Sequence, residues 1–148
     1  MAVTLPSRDL ILDACAGRIQ LPHPVLRAAG ELAELHRARL SRAAVPGVDC
    51  RRVELMHEID RWVSSAMPRA HGCAWMHTET VGAVVDRLAQ FSVYAYAALE
   101  QADSQWEMHV AWQRLAELSL GYSDMAFEIA AGTLRLPDFG VPQVTSPR

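Results

Sequence analysis

The sequence predicts an all-α fold, an antiparallel bundle of four main helices with a short helix before them. In two adjacent segments, apolar residues recur at alternating steps of three and four, which places them on one face of a helix. They are Val81, Val84, Leu88, Phe91, Ala95 and Ala98 in the first segment and Met108, Ala111, Leu115, Leu118, Tyr122, Met125 and Ile129 in the second. Only Asp103 and Ser104 separate the segments, and so short a connection favours antiparallel neighbours. No alternation of apolar and polar residues is long enough to predict a strand.

Length and composition predict one folded domain. The chain has 148 residues, of which 51% are hydrophobic, and this is enough to bury one core. We expect residues 1–148 to form a single helical domain with extended tails at 1–6 and 137–148. All 14 basic residues are arginine. This usage, together with the many alanines, is typical of a high-GC bacterial genome.

Charge and apolar patterning argue against several classes of protein. The net charge is −3 and no basic arm is present, so we expect no binding to nucleic acid or to an anionic membrane. No apolar run approaches the roughly 18 to 20 residues that span a bilayer, and the N-terminus has no signal-peptide core. Cys15, Cys50 and Cys73 lack C-x-x-C spacing and are expected to be reduced thiols. The sequence therefore predicts a cytoplasmic protein.

The first two helices are marked by residues typical of helix ends. Ser7 can cap a short first helix that ends at Gly17. Pro24 suits the first position of a second helix, expected to run from Val25 to about Ala44. His36 lies at the edge of the apolar stripe of this helix.

The remaining helices carry similar signals. Asp49 is expected to cap a third helix that runs to about Met67, and an irregular connection follows it. The fourth helix is expected to begin at residue 77 or 78. Ser104 and Glu107 form an S-x-x-E capping box at the start of the fifth helix. We expect Gly121 to interrupt this helix and Gly132 to end it.

The third helix carries candidate metal ligands. Glu54, His57 and Glu58 share one face at i, i+3 and i+4. Carboxylates and histidines that project from bundle helices build di-metal sites, but those sites repeat a Glu-x-x-His pair on two helices, and this chain has one such pair here. A solvated polar face is the simpler interpretation. No cofactor is therefore expected, and a divalent metal is the alternative.

The fourth helix has an unusual polar face. Glu79 and Asp86 lie on the side away from Leu88, together with small and apolar residues that include Gly82, Ala83, Val93 and Ala97. Small residues allow close approach by another helix, of the same chain or of a second one. Carboxylates at such an interface need arginine, histidine or metal partners. An ordinary ion pair on a solvated face is the alternative.

Two segments resemble a known family. Residues 77–89, HTETVGAVVDRLA, resemble the E-T-P-G-x-x-x-D-R-L segment of a bacterial, and by expectation actinobacterial, domain-of-unknown-function family, with Val81 in place of proline. Residues 52–60, RVELMHEID, are similar to its R-x-x-x-x-x-x-I-D segment. The resemblance covers about residues 49–136 and implies an all-helical cytoplasmic protein of unassigned activity. Its motifs fall on Arg52, Asp60, Glu79, Thr80, Gly82, Asp86 and Arg87.

The favoured functional hypothesis is a non-enzymatic protein that self-associates, as a homodimer, or binds a protein partner. In this hypothesis the face of Gly82, Ala83 and Ala97 meets a partner helix. The charged residues would form a buried ion-pair network that fixes the helix register. The members of that network are Asp60, Asp86, Arg52 and Arg87.

The alternative hypothesis is a small metal-assisted enzyme or binding protein for a phosphorylated or anionic small molecule. Arg52 and Arg87 would clamp the anion. Glu79 and Asp86, with His57 or His77, would hold a metal ion or act as a general base.

Overall fold

A computed structural model describes residues 3–42, 46–101 and 103–138, and it confirms the all-α fold. The helices are α1 (Arg8–Cys15), α2 (Pro24–Leu40), α3 (Val48–Ala66), α4 (Val81–Gln101) and α5 (Gln105–Ala131). Two short strands, β1 (Trp75–Met76) and β2 (Leu134–Arg135), pair in parallel. Among the described helices, none is long and apolar enough to cross a membrane.

The central element is α4, which packs against each of the four other helices. This position explains why its sequence is apolar on more than one side, since a helix surrounded by others has little solvated surface. The buried apolar side chains form one cluster to which all five helices contribute. Its largest fully buried members are Ile11, Leu32, Leu55, Ile59, Leu88 and Tyr122.

Several predicted helix ends are confirmed. The Ser7 hydroxyl accepts a hydrogen bond from the Leu10 N–H at 3.3 Å, and Pro24 occupies the first turn of α2. At α5, the Ser104 hydroxyl accepts from the Glu107 N–H at 3.2 Å. Gly132 ends α5 in the left-handed conformation, with φ of 74°.

Predictions for α2, α3 and α5 were each wrong at one point. Gly47, not Asp49, precedes α3, because a glycine with φ of 76° makes the turn into the helix and leaves Asp49 in its first turn. The second helix ends at Leu40; the stretch 43–45 lies outside the described residues. Gly121 does not interrupt α5, since a glycine costs a helix only about 1 kcal/mol and packing of the opposite face offsets this.

The fourth helix begins at Val81, later than predicted. Residues 75–76 are held extended by pairing with 134–135, and the His77 N–H donates to the Arg135 carbonyl at 2.8 Å. The chain turns into the helix at Thr80, whose hydroxyl accepts from the Ala83 N–H at 3.2 Å. Strands of two residues are too short for a period of two to be visible in sequence.

The predicted N-terminal tail is partly packed. Leu5 is buried in the core cluster, and the Tyr122 hydroxyl donates to the Pro6 carbonyl at 2.6 Å. Burial of this phenol raises the pKa of Tyr122. Of the predicted C-terminal tail, residues 139–148 lie outside the described part of the chain.

Helix α4 approaches α3 closely at Gly82. A methyl group at this position would lie within 3.0 Å of three atoms, two of them in the main chain of Met56. Gly121 offers a contrast, because a methyl group there would meet nothing within 4 Å. Both glycines lie in long helices, Gly82 in the first turn of α4 and Gly121 in the interior of α5, and they differ in how closely another helix approaches them.

We expect Gly82→Ala to destabilise the protein by about 3 kcal/mol, because α3 and α4 must separate to relieve the clash. Gly121→Ala should stabilise it by about 1 kcal/mol through helix propensity alone. Urea unfolding followed by circular dichroism measures both. Equal effects of the two substitutions would contradict the close approach of α3 to α4.

Candidate functional site

The candidate polar residues meet where α2, α3 and α4 cross. Asp86 on α4 is buried, and its Oδ1 lies 2.8 Å from Nε2 of His36 on α2 and 3.2 Å from Nε of Arg52 on α3. Arg52 also bonds Asp49 at 3.1 Å, and Asp49 bonds Arg39 at 3.1 Å. Two acidic and three basic or imidazole groups therefore link three helices.

The Asp86 carboxylate can only accept hydrogen bonds, so both His36 and Arg52 act as its donors. His36 is 4% exposed and Asp86 is 9% exposed. A buried carboxylate is tolerated where donors and an opposite charge surround it, and the loss of one partner leaves a costly unpaired charge. This cluster therefore links α4 to both α2 and α3 through buried polar contacts.

Sequence reasoning brought Arg52 and Asp86 together but did not assign His36 to the site. The available signal was the position of His36 near the apolar stripe of α2, where a polar side chain needs a buried partner. Its spacing from Asp86 along the chain carries no information, since the two residues belong to different helices.

Asp60 does not join this cluster. Its Oδ1 accepts from the Gly82 N–H at 2.7 Å, and the Thr80 side chain also bonds it, so α3 caps the first turn of α4. Burial raises the pKa of Asp60, although the bonds from Gly82 and Thr80 and the nearby His57 act in the opposite direction. Asp60 therefore acts as a cap supplied by a neighbouring helix.

Glu79 and Arg87 form an ion pair that is separate from the cluster around Asp86. The Arg87 guanidinium contacts both Glu79 carboxylate oxygens, one of them at 3.2 Å, and both side chains are partly exposed. His77 belongs to the turn before α4, where its Nδ1 accepts from the Glu79 N–H at 3.1 Å. The four-residue network of Asp60, Asp86, Arg52 and Arg87 is thus divided into three parts.

The metal candidates on α3 surround a cation that the chain itself supplies. Arg51 bonds Glu54 at 3.2 Å and Glu58 at 3.3 Å, and it bonds Glu31 of α2 at 3.0 Å. These hydrogen bonds, above all the one with Glu31, raise the pKa of Arg51. His57 is exposed and bonds none of them. Within the described ranges, no group of three or more His, Cys, Asp and Glu side chains is arranged to hold a metal ion.

The signal for Arg51 was present in the sequence. It lies three residues before Glu54 and seven before Glu58, which places all three on one face of α3. Two cavities, of about 360 and 400 Å³, lie elsewhere, and none of the candidate residues lines either of them. The arrangement of the candidate residues thus joins helices to one another.

Asp86→Ala and Glu79→Ala test this interpretation as a pair. Loss of Asp86 leaves His36 and Arg52 without their buried partner, so we expect a loss of about 3 to 5 kcal/mol of stability. Loss of Glu79 breaks a partly exposed pair, and we expect a loss of about 1 kcal/mol or less. Urea unfolding measures both; similar losses for the two variants would refute the distinction.

Asp60→Asn tests the raised pKa of Asp60. The folded protein holds this carboxyl proton more tightly than the unfolded chain does. The stabilisation is therefore full below the ordinary pKa of 3.8 and is lost as pH rises through the raised value. Asparagine can still accept from Gly82 but cannot ionise. We expect the wild-type protein to gain stability relative to the variant as pH falls from 7 towards 4. Urea midpoints across that range measure this, and an opposite slope would exclude a raised pKa.

Comparison with known proteins identifies a family. A family described as a protein of unknown function, DUF4254, matches residues 31–137. No curated protein and no solved structure matches the chain. The matched range contains both segments that suggested a family, and it also contains His36. Because the match covers more than half of the chain, this protein belongs to the DUF4254 family of proteins of unknown function.

Proposed function

We propose that this protein is a non-catalytic interaction protein that self-associates through the outer face of α5. This face is the side of α5 turned away from the bundle, and its residues are Trp106, Val110, Gln113, Glu117, Leu120, Asp124, Phe127 and Glu128. The observation that carries the proposal is the exposure of three large apolar side chains there. Trp106 is 72% exposed, Leu120 55% and Phe127 75%.

The three side chains share one side of the helix because their spacings are 14 and 7 residues. Seven residues are close to two helical turns, with a drift of about 20°. The buried residues Leu115 and Tyr122 lie on the opposite side of α5. At 1.5 Å per residue, Trp106 and Phe127 are separated by roughly 31 Å along the helix axis. Large apolar groups exposed along one face are typical of interaction sites.

This interface differs from the one predicted on α4. Gly82 is covered by α3 of the same chain, so it is not available to a second copy. The small residues of that face serve packing within the monomer. The outer face of α5 has no neighbouring helix among the described residues, so it is free to pair.

A two-fold axis near Glu117 would pair two antiparallel copies of α5. Trp106 of one copy would then lie against Phe127 of the other, and Gln113 against Leu120. Such an isologous contact closes at a dimer, because each subunit uses the same surface. This arrangement buries the apolar groups of both copies with no change in the bundle.

The alternative, an enzyme or binding protein for an anionic small molecule, finds less support. Its anion clamp would need Arg52 and Arg87, which are bonded to Asp86 and Glu79. Its metal candidates Glu54 and Glu58 bond Arg51. A ligand would have to displace these internal partners. We therefore place the alternative second and include it in the test.

Sedimentation equilibrium of the purified protein tests self-association. We expect a mass of twice 16.4 kDa at high protein concentration. Leu120→Glu and Phe127→Glu should each weaken the dimer at least about tenfold, because each introduces a charge into an apolar contact. Val53→Glu is the matched control, since Val53 is an exposed apolar residue on α3, and it should leave the dimer intact.

A monomer at every concentration would overturn self-association. If Val53→Glu weakened the dimer as much as Leu120→Glu and Phe127→Glu do, the interface could not be assigned to α5. Thermal melting with divalent metals and sugar phosphates tests the alternative. A stabilising ligand whose effect is lost in Arg87→Ala would favour the enzyme or binding protein.

A further inference from the structure

We infer that the outer face of α5 also docks a basic amphipathic helix of another protein. The inference rests on the proposed function, because it needs this face to be an interaction surface, and it adds the chemistry of the partner. Three features of the described chain support it. They are the distribution of charge, the acidic side chains of α5 that have no arginine partner in this part of the chain, and a cavity beside Trp106.

The net negative charge of this protein lies on residues 88–134. Residues 88–134 contain six acidic residues and one basic residue, Arg114. The acidic residues are Glu100, Asp103, Glu107, Glu117, Asp124 and Glu128. Residues 1–87, in contrast, contain 11 arginines and 10 acidic residues. The region that exposes Trp106, Leu120 and Phe127 is therefore also the negatively charged one.

The acidic residues of the two regions differ in their partners. The ion pairs described above, among them Arg51–Glu31 and Arg52–Asp86, lie within residues 8–87. On α5, Glu117 accepts a hydrogen bond from the Gln113 amide at 3.1 Å, but no arginine of the described chain pairs with it. Asp124 and Glu128 are exposed and likewise have no ion-pair partner in this part of the chain. These carboxylates can therefore pair with cations of another molecule.

A cavity next to this face can hold an apolar anchor. It measures about 360 Å³ and lies between α4 and α5. Its lining is Phe91, Tyr94, Trp106, Val110 and Ala111, with Glu107 and Arg114. Aromatic and aliphatic walls of this kind accept one or two large apolar side chains, and such buried anchors carry most of the energy of an interface. Glu107 and Arg114 place one negative and one positive group beside the anchor.

These features define the partner. A helix of about 21 residues matches the roughly 31 Å between Trp106 and Phe127. It would place apolar residues against the cavity and against Leu120 and Phe127, and lysine or arginine residues beside Glu117, Asp124 and Glu128. Recognition of an amphipathic helix through its apolar face is a common binding mode. Opposite charges beside it accelerate association and select the partner.

One of these charges, Glu117, weakens pairing with a second copy. About this two-fold axis, Glu117 would lie beside its own counterpart, whereas Asp124 would lie opposite His109 and Glu128 opposite Gln105. Salt screens the repulsion between the two Glu117 carboxylates, so the dimer should tighten as salt increases. The complex with a basic helix should weaken under the same change. The two associations therefore have opposite salt dependence on one surface.

Binding of synthetic peptides to the full chain tests the inference. The probe is a peptide of about 21 residues with leucines on one helical face and lysines and arginines on the other. One control peptide keeps the leucines and carries glutamate in place of the basic residues, and another has the basic composition in scrambled order. Isothermal titration at about 0.05 M and about 0.5 M salt measures each affinity.

We expect the basic amphipathic peptide to bind at least about tenfold more tightly than either control, and to lose affinity at high salt. Asp124→Asn combined with Glu128→Gln should weaken its binding several-fold, and Leu120→Glu should weaken it through the apolar contact. Glu34→Gln is the matched control, since Glu34 is an exposed acidic residue of α2. Excess peptide should also dissociate the wild-type dimer.

The outcomes separate this inference from the proposed function. If the chain dimerises through Leu120 and Phe127 but binds the basic and acidic peptides equally, the partner chemistry is wrong and self-association stands. If the basic peptide binds but Leu120→Glu and the Asp124/Glu128 variant bind it as well as the wild type, the docking surface is wrong. If the protein neither dimerises nor binds a peptide, both proposals fail.

Discussion

A carboxylate buried among helices is stable only where donors and opposite charge surround it, and this requirement governs how the bundle is assembled. Asp86 on the central helix α4 accepts hydrogen bonds from His36 of α2 and Arg52 of α3. Either neighbouring helix can move away only if it leaves that carboxylate short of a partner. Apolar packing would tolerate small rotations of α4, whereas this cluster favours one register. The buried charge is therefore better understood as a determinant of helix orientation than as a source of net stability.

The other polar residues of the family segments act on the same crossing. Gly82 lets the main chain of α3 approach α4, and Asp60 uses that approach to cap the first turn of α4. Glu79 and Arg87 bond each other at the edge of the contact. Residues that suggested a catalytic or metal site are thus engaged within the chain. The spacing of acidic and basic residues along helices is compatible both with a catalytic or metal site and with ion pairs between helices. The bonding partners of each side chain distinguish the two.

The charged residues of α5 differ in their partners from those that precede residue 88. Up to Arg87, acidic and basic residues are nearly equal in number and many pair with each other. On α5 the acidic residues have no arginine partner within the described chain, and large apolar side chains are exposed among them. Many charges up to Arg87 therefore pair within the chain, whereas the carboxylates on the outer face of α5 face solvent without an arginine partner in the described chain. This asymmetry is the physical basis of the proposal that α5 carries the interaction surface.

The sequence by itself determined the helices, because a period of 3.6 residues persists over many turns and helix ends such as Ser7, Ser104 and Gly132 are local signals. It also suggested a family of unknown function, and the match over residues 31–137 confirmed that. Only the tertiary structure decided that His36 meets Asp86, that α3 covers Gly82, and that residues 75–76 pair with 134–135. Each of these contacts joins residues distant in sequence, and their distance in space depends on how whole helices cross. A one-dimensional pattern specifies which face of a helix is buried, but it does not specify which neighbour buries it.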